Sequence, residues 1–302
     1  MDSVLRDKKA IILFILPAVV IFIGIIVIPI LMSVHYSMLD WNGIGNGSFI
    51  GLKNYQDLFV NNQDGFLPAV KNSIILALLS VFVQLPIALA IALVLASGVK
   101  GEGFFRTVYF VPVIVSTVVI GQMWMKIYNP DYGLLNTFFR NIGMDFLAKE
   151  WIGSPDTALM SVFIPSIWQY IGYHMLLMYA AIKSIPRDIM EAAMIDGASP
   201  VMAAWKITIP LIKPILEVCV VFAVIGSLKS FDLIYVLTNG GPMHATEVPS
   251  TMMMKTIFHG YKYGYGSAMA IFIVIECLLL TVAIQRLFSI KKQYNVDNEV
   301  SL

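Results

Sequence analysis

Six stretches of this chain are each apolar over about the length that a bilayer core demands, a pattern that removes most folds from consideration. A hydrocarbon layer about 30 Å thick takes about 20 residues of helix. The stretches lie at about Ile11–Val34, Ser73–Ser97, Thr107–Tyr128, Ala158–Ala181, Ile215–Leu237 and Ser267–Phe288. Composition agrees: 58% of the residues are hydrophobic and 13% charged, against about 45–50% and 25% in soluble domains. No tandem repeat, low-complexity tract or linker divides the chain. The expected fold is therefore all-α, a single polytopic membrane domain over residues 1–302 with six transmembrane helices.

Arg6, Lys8 and Lys9 precede the first stretch as they would a signal peptide's apolar core, but the run is too long and no small-residue cleavage site follows. It reads as a retained span. Orientation follows from Lys and Arg in the connections. They concentrate in the amino tail, after span two (Lys100, Arg106), between spans four and five (Lys183, Arg187, Lys206, Lys213) and in the carboxyl tail (Arg286, Lys291, Lys292). The alternate, longer connections hold fewer, so both termini and the connection at about 185–214 are expected in the cytoplasm.

Several function classes fall away. A net charge of +1 with no Lys/Arg cluster leaves no surface for nucleic acid. Cys219 and Cys277 fall inside apolar spans and support neither a disulfide framework nor a metal site. No Gly-x-x-x-x-Gly-Lys-Ser/Thr loop is present to cradle ATP phosphates, and His35, His174, His244 and His259 lack metal-ligand spacing. No serine sits in a nucleophile-elbow pattern. Neither catalysis nor a cofactor is expected.

The outer connections read as turns and short helices. Gly43, Gly45 and Gly47 punctuate the first, near Trp41 and a short amphipathic piece at Asn54–Phe59. In the second, the turn Asn129-Pro130-Asp131-Tyr132-Gly133 precedes Leu134–Phe139, a surface helix with its apolar side on the membrane interface.

The cytoplasmic connection is the most structured polar segment. Pro186 and Asp188 suit a helix start, Glu191-Ala192-Ala193 are strong helix formers, and Gly197 ends the helix. Ser199-Pro200 starts a second helix, expected to run to about Ile207 before Pro210 stops it. Val201, Ala204, Trp205 and Thr208 follow helical spacing and can form a packing face. A loop resting on lipid headgroups is the simpler alternative.

This connection resembles the EAA signature of permease subunits of bacterial ATP-binding-cassette importers. Glu191, Ala192, Ala193, Asp196, Gly197, Ala198, Ile207, Pro210 and Pro214 match its pattern; where that pattern often has phenylalanine this chain has Ala204, with Trp205 beside it. Trp124–Leu135 (WMKIYNPDYGLL), Ile167–Gly172 (IWQYIG) and Phe231–Thr246 (FDLIYVLTNGGPMHAT) resemble the carbohydrate-uptake branch, in particular the subunit similar to the larger maltose-transporter permease. The resemblance spans the chain from its first span to its sixth. It implies a subunit in the bacterial cytoplasmic membrane that pairs with a second permease, sits on a dimer of ATPase subunits and receives solute from an extracytoplasmic binding protein. It also implies that Glu191, Ala192, Ala193, Asp196, Gly197, Ala198 and Trp205 couple the chain to the ATPase.

Polar groups inside a span are costly in hydrocarbon and face protein or a water-filled cavity. Span four carries Trp168, Gln169, Tyr170 and His174; span five carries Ser227, Lys229, Ser230, Asp232 and Tyr235. Amide, hydroxyl and aromatic groups suit a sugar, whose hydroxyls take directional hydrogen bonds and whose apolar face lies on a ring. Trp168, Gln169, Tyr170, His174, Ser227 and Asp232 are the candidate solute path. Trp and Tyr also populate interfacial belts, and Ser, Gln and His also bridge helices. Lys229 and Asp232, three apart, are expected to pair on one helix face. Gln84 and Gln122 read as helix-contact residues. Two alternatives stay open: an importer for another polar solute such as a glycerol phosphate ester, for which only Lys229 offers a cation, and an ion-coupled carrier using Asp232 and Glu276.

Overall fold

The computed structural model describes residues 8–62 and 64–300, with side chains over 14–62 and 64–289. Arg6 lies outside the described residues, and Lys8, Lys9, Lys291 and Lys292 outside the described side chains. Two compact units emerge: one from the chain up to Leu67 together with Met253–Ile275, the other from Pro68–Met252 together with the chain from Glu276.

Among the described residues, four helical segments are long and apolar enough to cross a bilayer: Phe14–Tyr36, Phe66–Ala96, Lys213–Thr238 and Tyr263–Ser289. We label the helices α1 (Lys8–Phe22, continuing to Tyr36), α2 (Phe66–Leu79, continuing to Ala96), α3 (Glu102–Ile114), α4 (Thr117–Ile127), α5 (Leu134–Asn141), α6 (Pro155–Lys183), α7 (Arg187–Ile195), α8 (Pro200–Ala203, continuing to Leu211), α9 (Lys213–Leu228), α10 (Asp232–Thr238), α11 (Pro249–Phe258) and α12 (Tyr263–Val300). The stretch read as one span at Thr107–Tyr128 is two helices, α3 and α4, bent by 97°, and makes a fifth crossing only if the pair counts as one. Val115 and Ser116 are extended there, within a run of β-branched residues that favour the helix weakly. The stretch read as span four is α6, whose 29 residues reach about 44 Å at 1.5 Å each. It is long enough, but it is not among the segments that are also sufficiently apolar. The count of six is thus not reached by length and apolarity together.

Proline is accommodated repeatedly by π turns. Ile23–Val27, Ser80–Gln84 and Ala204–Thr208 are π-helical, and each is followed two residues past its end by a proline: Pro29, Pro86 and Pro210. In an α-helix, proline loses one hydrogen bond and clashes with the carbonyl four residues back. A widened turn makes room for the ring. Pro210 therefore does not stop its helix, which runs on to Leu211, contrary to the expectation from sequence.

In the first unit, Leu39–Asp40 pairs antiparallel with Ser48–Phe49. Buried Asn54 donates to the carbonyls of Ser37 and Leu39 at 2.8 and 3.0 Å, pinning the return of the chain.

The second unit packs α2, α6 and α9. Leu85, Ala88, Ala92 and Leu95 meet Met175, Met178 and Tyr179, with Cys219 and Ala223 completing the cluster. Lipid is as apolar as leucine, so helix association in a bilayer rests on close packing rather than on expulsion of water. Ala88 and Ala92, both fully buried, allow that approach. Gly172 does the same where α6 crosses α3, because a Cβ there would run into the Tyr109 carbonyl. A second cluster joins Leu76, Ile120, Val162, Phe163, Leu233, Ile234 and Leu237.

Candidate functional site

The segment between α6 and α9 is built by local capping chemistry. Pro186, extended, precedes α7, and Asp188 sits in its first turn, where a carboxylate favours the helix N-terminus. At the other end Gly197 adopts φ +78°. Its N–H donates to the Met194 carbonyl at 3.1 Å and that of Ala198 to the Ala193 carbonyl at 2.9 Å. This pair of bonds is a Schellman motif, which needs a left-handed residue at the position of Gly197. Ser199 then caps α8, its Oγ accepting from the Met202 N–H at 3.3 Å. The two short helices expected from sequence are present.

Their faces divide sharply. Ala193, Ala203 and Thr208 are buried, whereas Glu191, Ala192, Asp196 and Gly197 are exposed and Ala198 is half-buried. Met194, Ile195, Val201 and Trp205 are all exposed, Ile195 by 85% and Trp205 by 69%. Thr208 alone of the expected packing face turns fully inward; Val201 and Trp205 point out. Large apolar side chains gathered on an otherwise polar loop mark an interaction surface.

The second feature is a cavity of about 500 Å³ inside the second unit, walled by α2, α3, α4, α6, α9 and α10. Gln169, Tyr170, His174, Ser227 and Asp232 from the expected solute path line it, together with Ser80, Gln84, Thr117, Tyr173 and Lys229. Trp168 is not in the wall; its ring lies edge-on to Trp124, with centroids 5.9 Å apart. Gln169 Nε2 donates to Thr117 Oγ1 at 3.4 Å. Gln169 Oε1 and His174 Nδ1 have no partner although their side chains are 2% and 3% exposed. A buried polar atom left unpaired costs about 1–3 kcal/mol, so each of these two cavity-lining residues keeps hydrogen-bonding capacity to spare.

Lys229 and Asp232 form no ion pair. The chain leaves α9 at Leu228 and begins α10 at Asp232, so the two do not share one continuous helix. Gln84, read as a helix contact, lines the cavity at the end of the π turn Ser80–Gln84, at four-residue spacing from Ser80 and Leu76. Thr117 was missed; its one signal is its position beside Ser116, where span three breaks. Glu276 is nearly buried and is not in the cavity wall.

Comparison with known proteins places these features in context. The model of the binding-protein-dependent transport system inner membrane component family matches residues 65–292. The chain is 38% identical over 284 residues to the probable ABC transporter permease protein YurN of Bacillus subtilis (strain 168), covering 93% of this chain and 96% of that one. It is 33% identical over 281 residues to the trehalose/maltose transport system permease protein MalF of Thermococcus litoralis, covering 92% of each. Its fold resembles a chain in the crystal structure of a bacterial ABC transporter involved in the import of the acidic polysaccharide alginate, with a TM-score of 0.81 at 24% identity, covering 95% of this chain and 97% of that one.

Proposed function

We propose that this chain, which belongs to the family of inner membrane components of binding-protein-dependent transport systems, is the permease subunit of an ATP-driven importer for a sugar or oligosaccharide. It works beside a second permease, on a dimer of ATPase subunits, and receives solute from an extracytoplasmic binding protein. It crosses the bacterial cytoplasmic membrane six times, α6 and the bent α3–α4 pair each counting as one crossing, with both termini in the cytoplasm.

The observation that carries this reading is the pairing, on one chain, of a largely apolar cavity bearing a set of polar side chains with an exposed apolar loop. The cavity offers amide, hydroxyl, imidazole and phenol groups, with one cation, Lys229, and one carboxylate, Asp232. A wall with one charge of each sign and several neutral hydrogen-bonding groups suits an uncharged polyol better than a phosphate ester. The relative MalF, named for trehalose and maltose transport, supports the same solute class. Glu191, Ala192, Asp196, Gly197, Ala198 and Trp205 form the surface that enters a groove on the ATPase, with Ala193 buried beneath it, and displacement of this loop carries the energy of ATP into the membrane.

Trp205→Cys, combined with single cysteines along the partner ATPase's permease-facing groove, should give a disulfide under mild oxidation in the assembled complex. No cross-link from Trp205 or from Val201, with cross-links confined to the outer loops, would remove the docking assignment.

A further inference from the structure

The cytoplasmic ends of α3 and α6 are tied together by four side chains. The Tyr179 hydroxyl donates to Glu102, and Lys183 Nζ lies 3.4 Å from Glu102 Oε2. The Arg106 guanidinium sits over the Tyr179 ring, 4.9 Å from its centroid, with Lys183 Nζ at 5.6 Å. Glu102 and Arg106 are four apart on the first turns of α3, and Tyr179 and Lys183 are four apart on the last turns of α6. That spacing puts each pair on one helix face. A surface ion pair alone would hold little, but here the buried Tyr179 gives the cluster a fixed centre. The backbone crossing at Gly172 and Tyr109 ties the same two helices again, two turns away.

The positions of these ties matter. Only Ser184, Ile185 and Pro186 separate α6 from α7, the first helix of the cytoplasmic loop. At its far end α3 stops at Ile114, beside the bend whose flanks, Val113 and Thr117, line the cavity. The packed pair of α3 and α6 thus runs from the start of the loop to the cavity wall.

We propose that Glu102 and Tyr179 are positioning residues that lock α3 to α6, so that displacement of the loop is delivered to the bend at Val115–Ser116 and moves the cavity wall. This rests on the loop being the ATPase-docking element. Neither residue touches solute or ATP.

The test uses the full complex in nanodiscs, on a Cys219→Ala, Cys277→Ala background, with an environment-sensitive fluorophore at either Met194→Cys on α7 or Ile114→Cys at the end of α3. ATP with vanadate is the trigger, so no solute is required. In the parent, both labels should respond to trapping. In Tyr179→Phe and Glu102→Ala the Met194 response should persist while the Ile114 response falls by about threefold or more, since severed coupling acts at one end only. An Ile114 response equal to the parent's in both variants, with Met194 responding, overturns the latch alone. An unresponsive Met194 in the parent removes the docking reading and the latch with it. Should Glu102→Ala fail to assemble, Tyr179→Phe, which deletes a single oxygen, decides the matter.

Discussion

Ser227 Oγ donates to Ser80 Oγ at 3.0 Å, joining α9 to the π turn of α2 where both line the cavity. Both side chains are buried, so removing either hydroxyl leaves the other without this partner. Ser80→Ala and Ser227→Ala should each destabilise the assembled complex by about 0.5–1.5 kcal/mol. The double variant should cost less than the sum of the two, because the pair shares one bond. Thermal unfolding in detergent measures this, and strict additivity would show that the two hydroxyls do not interact.

Gln169 and His174 line the same cavity, and each carries a buried polar atom without a partner. Gln169→Ala and His174→Ala should raise KM for solute uptake by about tenfold, the equivalent of a lost hydrogen bond of about 1.4 kcal/mol, at unchanged yield of complex. Trp168→Ala should do the reverse. It removes an edge-on ring contact to Trp124 worth about 0.5–1.5 kcal/mol beyond buried area, lowering stability while leaving KM within about twofold. A KM effect at Trp168 with none at Gln169 and His174 would move the solute path off this cavity.

The contrast between Trp168 and Gln169 shows where sequence reading runs out. The two are neighbours on α6, turned about 100° from one another, and only the packing of α6 decides which of them meets the cavity. The loop between α6 and α9 was legible because its signals are local: Gly197 supplies the left-handed turn and Ser199 the cap, whatever the rest of the chain does. Pro210 misled for the opposite reason, since a π turn absorbs the ring that would end an α-helix. The break at Val115–Ser116 was hidden because apolarity is blind to backbone direction. Lys229 and Asp232 look paired only if the helix between them is continuous.

Gly197 tests the loop's geometry. At φ +78° any other residue is strained, by about 1–2 kcal/mol, and a bulky one such as Val adds β-branching at the turn between α7 and α8. Gly197→Val and Glu191→Lys should leave membrane insertion intact while ATP hydrolysis loses its stimulation by solute-loaded binding protein. Stimulation at the unmodified level in both variants would contradict the coupling role.

Gly172 tests the helix crossing. A Cβ at this position meets the Tyr109 backbone, which cannot yield as a side chain could, so Gly172→Leu should separate α3 from α6 and cost about 1–3 kcal/mol or more, as overpacking does. Lower yield of folded complex in detergent is expected. Normal yield and an unchanged melting temperature would mean that the two helices are not in contact there.

Topology has its own check in reporter fusions active only outside the cytoplasm. Fusions after Asn61, Asp145 and His259 should signal, and those after Gly101, Gly197 and Tyr294 should stay silent, as the distribution of Lys and Arg requires. A signal after Gly197 would put the loop on the wrong side of the membrane for an ATPase.

Proteoliposomes offer the most direct test of ATP-powered import. The chain assembled with its partner permease, ATPase subunits and binding protein should take up a radiolabelled sugar or oligosaccharide that the binding protein carries, only with ATP inside. The chain alone, under a proton or sodium gradient, should take up none. Sugar accumulation by the chain alone, driven by an ion gradient without any ATPase, would contradict the role assigned to it.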